Sequence, residues 1–399
     1  MTEGAAVAAP PPVFGELVGQ DAVAAELAAA AGTAAAVLRG EQVTGMSHAW
    51  LLTGPPGSGR SVAARAFAAA LLCPYGGCGH CPSCHQVSAG THADLLLVRP
   101  EGLSYGVRQT RSLVLRAAEV PSGGRWQVVL FEDADRATEQ AANALLKAIE
   151  EPAPRTIWLL CAPSPEELVT TIRSRCRLVT LRIPAPAAVA GVLERRDGVP
   201  PERALAAARA AQGHIGRARR LATDAEAARR RDEVLAVPAR LTGVAAALAA
   251  AADLVKAAES EAAAITTELD EPERDALRRA FGEGSTGKGV ARALRGSAGA
   301  LRDLEDRQKS RATRLKRDAL DRALLDLASF YRDVLAVQVG AEADLASAGH
   351  ERDVSAIAGA SAPETTVRRI GAVMACRERL ELNVAPLLAV EELTLALAR

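Results

Sequence analysis

Aromatic side chains are scarce: Phe, Trp and Tyr together supply only 3% of 399 residues. The interior must then be filled by small aliphatic groups, and the abundance of Ala points to helices packed closely on one another. Net charge is missing too. The 48 basic and 48 acidic side chains cancel, which excludes a general attraction to nucleic acid and leaves DNA contact to a local patch or to a partner. Lysine is rare, 5 of those 48 cations, so arginine is the habitual positive residue. No basic segment followed by an apolar core opens the chain; residues 1–12, rich in Ala and Pro with Glu3, read as a disordered lead-in and not a signal peptide. The most apolar stretch, residues 22–38, is broken by Glu26, Gly32 and Thr33, and no run approaches the length of a membrane span. The expectation is a cytoplasmic protein without membrane contact, whose 7 cysteines serve as thiols or metal ligands and not as a disulfide framework.

What is present organises itself around residues 50–67. An apolar strand at 49–53 runs into Gly54-Pro55-Pro56-Gly57-Ser58-Gly59-Arg60-Ser61, and a helical stretch without Pro or Gly continues to Leu72. Strand, glycine-rich turn and helix in that order make a phosphate-binding loop: the glycines let backbone N–H groups curl round phosphate oxygens at a helix N-terminus, and Ser61 stands where a hydroxyl would ligand Mg²⁺. Arg60 occupies the place of the lysine that reaches the β- and γ-phosphates. A planar fork replaces a compact charge there, so phosphate affinity is expected to survive better than catalysis.

Cys73, Cys78, Cys81 and Cys84 follow within a Gly- and Pro-rich stretch, with two overlapping C-x-x-C steps. Four thiolates on such turns can close round one tetrahedral, structural Zn²⁺; His80 and His85 are substitute donors that a four-cysteine site does not need. Further strands are expected at 94–98, 127–131, 156–161 and 178–181, separated by helices at 107–120, 138–151 and 165–172. That alternation predicts a parallel sheet covered on both faces, an α/β fold followed by an all-α region once the strands stop after Pro184. Glu132 and Asp133 lie at the carboxyl end of the third strand, where Mg²⁺ and a water would be managed beside a phosphate loop. ATP-hydrolysing relatives carry Asp then Glu at such a strand end, so the reversed order argues against hydrolysis. Gly287-Lys288-Gly289 imitates a second phosphate loop but has neither a preceding strand nor a following hydroxyl, and reads as an interhelix loop. Residues 307–322 mix many cations with Asp318 and Asp321, a solvated helix face or a contact to DNA or a partner.

Taken as an ordered set, the phosphate loop, the four-cysteine insertion behind its helix, the acidic strand end, Ala141-Ala142-Asn143-Ala144-Leu145-Leu146-Lys147 with Glu150-Glu151-Pro152, and Ser174-Arg175-Cys176 resemble the clamp-loader subunits of bacterial DNA polymerase III over residues 13–225. The resemblance implies an AAA+ module at 13–184 with its zinc module at 73–84, a helical lid at 185–236 and a helical collar at 237–399 that holds subunits in a ring. Val18-Gly19-Gln20 is similar to the family's adenine-side segment. It further implies other clamp-loader subunits, gamma/tau and delta, as partners, with the sliding clamp and primer-template DNA met through the complex.

Two kinds of subunit differ within that family: the ATP-hydrolysing gamma/tau motor, and the delta-prime type, which hydrolyses weakly or not at all and offers the arginine of Ser-Arg-Cys to a neighbour's ATP. Arg60, the Glu132-Asp133 order, and Gly216 in the place of a lid arginine (with Arg217 one residue on) depart from the motor pattern beside an intact Ser174-Arg175-Cys176. The delta-prime pattern therefore fits better, with Arg175 acting in trans, little intrinsic ATPase, and ATP with Mg²⁺ bound weakly through Gly54, Pro55, Pro56, Gly57, Ser58, Gly59, Arg60, Ser61, Glu132 and Asp133. A tau-type chain would also be expected to extend well past residue 399. The alternatives are an autonomous motor subunit and a zinc-ribbon DNA-binding protein, the latter disfavoured because residues 73–84 carry no cation beyond His80.

Overall fold

A computed structural model describes residues 9–44, 46–100, 104–281, 290–342, 344–382 and 384–398, with the side chains of 290–298 left aside. The second glycine-lysine loop, at 282–289, and the first 8 residues of the lead-in lie outside the described residues. By internal contacts the chain divides into two units, meeting in sequence at Arg219 and Arg220.

The first unit is built on five strands, β1 (Ala49–Thr53), β2 (Leu95–Val98), β3 (Gln127–Phe131), β4 (Thr156–Ala162) and β5 (Arg177–Thr180). All pair in parallel, in the order β2-β3-β4-β1-β5. Parallel neighbours need crossovers, and these are supplied by α1 (Asp21–Leu38), α2 (Arg60–Leu72), α3 (Pro82–Ala89), α4 (Val107–Ala117), α5 (Glu139–Glu150) and α6 (Thr170–Arg173). Alternate strand residues face opposite sides: Trp50, Leu52, Val128, Leu130 and Leu159 pack on α1 and α2, while Leu51, Val129, Phe131, Trp158 and Leu160 pack with α4 and α5. β1, β3 and β4 are buried along their whole length, which is why they read as unbroken apolar runs. α7 (Pro186–Asp197), α8 (Pro201–Ala210) and the start of α9 (Ile215–Thr223) complete this unit.

α1 is long and apolar enough to cross a membrane by length and composition alone. Its residues Val23, Ala24, Leu27, Ala30, Ala31 and Ala34 are nevertheless buried in the core beside α2, so this helix is spent on the α/β interior. The helix expected over 165–172 divides into a 3-10 turn at Pro165–Glu167 and the short α6. Between them Leu168 and Val169 open to extended backbone, and Leu168 drops into the core. The stretch of cysteines, expected as turns, ends in a helix: Cys81 caps α3 and Pro82 occupies its first position, where a missing N–H costs nothing.

The second unit is helical, as expected: α10 (Ala225–Leu235), α11 (Val237–Arg240), α12 (Val244–Ala280), α13 (Val290–Gln338), α14 (Glu351–Ala360), α15 (Pro363–Glu381) and α16 (Pro386–Leu397). Its core joins Leu254 and Val255 of α12 to Leu327, Phe330 and Val334 of α13 and to Val373 and Cys376 of α15. Beyond that core α12 and α13 run antiparallel, held by polar pairs instead of apolar ones. Arg311 meets Asp270 at 2.5 Å and Glu273 at 2.6 Å, Lys316 meets Glu259 at 2.5 Å, and Arg322 meets Glu261 at 2.8 Å. Arg311, Lys316 and Arg322 are thus engaged in a ladder between helices and do not form a simple solvated face.

Candidate functional site

The four clustered cysteines converge. Their Sγ atoms all lie within 4.8 Å of one another, with Cys73 to Cys81 at 3.6 Å and Cys73 to Cys78 at 3.8 Å. Tetrahedral thiolates about 2.3 Å from a zinc ion stand about 3.8 Å apart, so the donor set and its spacing fit the group. No disulfide joins them. Gly76 and Gly77, between the first two ligands, and Gly79, just after the second, all have positive φ, which lets the chain fold back on itself there. Gly77 is also crowded, since a Cβ there would come 2.7 Å from Val13 Cγ2. Burial pushes the Cys73 thiol up, but backbone N–H groups of Cys78, Gly77 and Tyr75 and the Cys81 thiol outweigh it and bring it down to about 6. Cys84, mainly through burial, is pushed up to about 12.

The phosphate loop connects β1 to α2 as the sequence requires. Gly54, Gly57 and Gly59 have φ of 152°, 92° and 92°. At Gly54 a Cβ would stand 2.5 Å from Leu181 O and 2.6 Å from Ser58 Oγ; at Gly57 it would meet the His214 backbone at 2.8 Å. His214, immediately before α9, therefore lies directly against the loop. Gln20, 5% exposed, ties the loop from the other side. Its amide nitrogen donates to Ser58 O at 3.2 Å and to Arg182 O, and its oxygen accepts from Arg182 N at 3.3 Å. Read from the sequence only as part of an adenine-side segment, Gln20 is a strut between the loop and the chain leaving β5. A lone glutamine before a helix carries no signal of such a role.

At the end of β3 both Glu132 oxygens are taken by arginines, Arg65 Nη2 at 2.6 Å and Arg99 Nε at 3.0 Å. Neither arginine was singled out in the sequence, because each lies far along the chain from Glu132. Asp133 adopts φ 49° and ψ 53°, an uncommon left-handed conformation for a residue with a side chain. Asp135 has one buried oxygen without a hydrogen-bond partner, and its carboxyl is raised, first by burial and then by Asp133, against the pull of Arg136 and Arg60. Arg60 Nη1 is likewise buried without a hydrogen-bond partner among the described residues. Fixed cations beside Glu132 take up the carboxylate that would otherwise be free for a metal ion.

Arg173, the last residue of α6, and Arg175 and Arg177 beyond it have different fates. Arg177 donates twice to Glu26 Oε1, at 2.7 and 3.0 Å, and lies over the Trp50 ring, 4.8 Å from its centroid. Arg173 approaches Glu166 only to 3.9 Å. Arg175 stays 40% exposed, its Nη1 donating to Thr171 O at 2.8 Å and to Ser174 Oγ at 3.2 Å, and its Nε 2.6 Å from Glu150 Oε1. Nη2 makes no hydrogen bond among the described residues.

A parallel sheet in this order, with a glycine loop and helix after β1 and carboxylates after β3, defines an AAA+-type module. Residues 35–185 match the family profile described as "DNA polymerase III, delta subunit". The delta-prime subunit of Pseudomonas aeruginosa is 40% identical over 166 residues, 40% of this chain and 50% of that protein. That of Escherichia coli is 38% identical over 177 residues, 43% of this chain and 53% of that protein. The gamma/tau subunit of Mycobacterium tuberculosis is 33% identical over 190 residues, 46% of this chain and 31% of that one. Over its α/β module the chain is thus similar to the clamp-loader subunits of bacterial DNA polymerase III, the delta-prime type among them. It spans about half the length of the delta-prime relatives it matches. A DNA polymerase III gamma subunit-related protein of Thermotoga maritima covers 92% of this chain and 99% of its own at TM-score 0.39 and 15% identity, a likeness too loose to bear on function.

Proposed function

We propose that the chain acts as the delta-prime-type member of a hetero-oligomeric clamp loader in the cytoplasm, beside gamma/tau and delta subunits. The assembly places the sliding clamp on primer-template DNA, and Arg175 serves a neighbour's ATP in trans. The observation that carries this reading is the state of Arg175. It is exposed with one edge of its guanidinium open, whereas Arg177 two residues on is locked to Glu26 and Trp50. A guanidinium offered at a surface can neutralise charge building on a transferring γ-phosphoryl group, an effect of roughly 10³–10⁵-fold in well-studied hydrolases.

The chain's own nucleotide side supports the same division of labour. Arg60 replaces the loop lysine, Glu132 is neutralised by Arg65 and Arg99, and His214 abuts Gly57. We assign to residues 54–61 weak phosphate binding through backbone amides, without turnover. Cys73, Cys78, Cys81 and Cys84 would hold Zn²⁺, which supplies structural cross-linking because four thiolates leave no position for substrate. In this reading 185–236 is the lid and 237–399 the collar that joins the ring.

The test is Arg175→Ala in a complex reconstituted with gamma/tau and delta subunits. Assembly should persist while the clamp- and DNA-stimulated ATPase falls by at least tenfold, with Arg173→Ala much milder; unchanged ATPase in the assembled mutant would remove the trans role. The second reading, a gamma/tau-type motor, has in its favour the 33% identity to such a subunit. Robust ATP turnover by the purified chain alone would establish it.

A further inference from the structure

We propose that Glu150 is the positioning residue for Arg175, holding its guanidinium so that the Nη2 edge faces a neighbouring subunit's phosphate. The inference rests on the trans role of Arg175 proposed above and names a residue that sets its geometry. Glu150 is the last residue of α5, and its Oε1 stands 2.6 Å from Arg175 Nε. A carboxylate at a helix C-terminus faces the negative end of the dipole and gains nothing for its own helix. The pair adds little to stability either, since the two side chains are 40% and 42% exposed and such surface pairs contribute roughly 0–1 kcal/mol.

Orientation is what the contact does supply. Thr171 O lies in the short α6, where the last carbonyls have no partner within the helix, and it takes Nη1 at 2.8 Å together with Ser174 Oγ at 3.2 Å. Glu150 takes the Nε side. With Nε and Nη1 both engaged, a long side chain with several rotatable bonds is held to one arrangement, and the unbonded Nη2 is the edge left for an incoming oxygen. Without Glu150 the guanidinium keeps its attachment to α6 but can swing about it. A misplacement of even 1 Å is enough to cost a large factor in rate.

The contact is an ion pair at 2.6 Å, so the carboxylate charge is what holds the Nε side of the guanidinium. Glu150→Gln keeps an oxygen acceptor, whereas Glu150→Ala removes it. The experiment compares wild type, Glu150→Ala, Glu150→Gln and Arg175→Ala in the complex with gamma/tau and delta subunits, checking assembly by gel filtration and measuring kcat and KM of the clamp- and DNA-stimulated ATPase. Glu150→Ala and the uncharged Glu150→Gln should each lower kcat about three- to tenfold with KM for ATP unchanged. Full activity in Glu150→Ala alongside a crippled Arg175→Ala would overturn the positioning role while leaving the trans arginine intact. A faster Glu150→Ala would overturn it too, by showing that Glu150 restrains the arginine, and a fully active Glu150→Gln beside a slow Glu150→Ala would overturn the role of the ion pair. Full activity in Arg175→Ala would remove the trans role itself, and this inference with it.

Discussion

Replacing Gln20 by Ala should loosen the phosphate loop without touching any glycine in it. Gln20 is 5% exposed and Ser58 1%, so water does not readily replace a lost contact there. The substitution orphans Ser58 O, Arg182 O and Arg182 N, which now share the glutamine amide. A buried polar group left unpaired costs about 1–3 kcal/mol; Ser58 O carries most of this and the groups of Arg182, an exposed residue, the smaller remainder, which places the local cost at about 2–3 kcal/mol.

That cost is read at the Ser58 amide, which is protected by its bond to Pro55 O at 3.0 Å. If the strut is what holds this turn closed, hydrogen exchange at Ser58 should quicken roughly 30- to 150-fold, since about 1.4 kcal/mol corresponds to a factor of ten. Amides of α12 and α13, in the other unit, should exchange as before. Exchange at Ser58 changed by less than about threefold would refute the strut, because the loop would then be held by its glycines and by His214 alone.

Elemental analysis of the purified protein should find one zinc per chain, and Cys81→Ser should lose most of it because that thiol is both ligand and α3 cap; well under one zinc in the wild type would refute the centre. Arg60→Lys should leave ATP turnover by the single chain negligible, since Arg65 and Arg99 still occupy Glu132; a steady-state assay showing robust turnover would place the defect in Arg60 alone. Burial alone would push the Asp94 carboxyl up, but the Ser122 hydroxyl and the Gly123 and Ser122 N–H groups outweigh it and hold it below the ordinary carboxylate value. Its contribution to stability is therefore present above an unfolded pKa near 3.9 and lost as pH falls through the lower folded value. Urea titrations of wild type and Asp94→Asn should differ at pH 7 and converge in that acid window; a gap that stays constant with pH would refute the assignment.

The α/β unit was legible because its signals are local. β1 and β3 fall on the expected residues, β2 and β4 differ at one end by one residue, and β5 is shifted by one residue at both ends, since a strand buried on both faces must be an apolar run. The cysteine spacing announced a donor set for the same reason: three of its four members lie within one short loop and helix turn. Where the reading missed, the deciding contact was distant. Leu168 interrupts the helix expected at 165–172 because a core pocket under the sheet takes its side chain, and nothing in its neighbours says so. The clamp on Glu132 comes from Arg65, 67 residues away, and the strut on Arg182 from Gln20, 162 residues away.

Arginine shows the limit most sharply, because this chain uses one residue type for opposite ends. Arg65, Arg175, Arg177 and Arg311 are equivalent in composition, yet each is defined by which acid the fold brings to it. Arg65 has Glu132 and is a neutralising group. Arg177 has Glu26 and an indole face, and fastens the edge strand β5 to α1 and β1. Arg311 has Asp270 and Glu273 and is a rung between two long helices. Arg175 combines an exposed guanidinium, one close carboxylate at Nε and an Nη2 edge without a hydrogen bond among the described residues. A cation fully paired within its own chain has little charge left for a neighbour, because desolvating it again would mean breaking the pair it already has. Arginines that the sequence presents as alike are thus told apart by their partners, and the open Nη2 edge of Arg175 is what its proposed role on another molecule rests on.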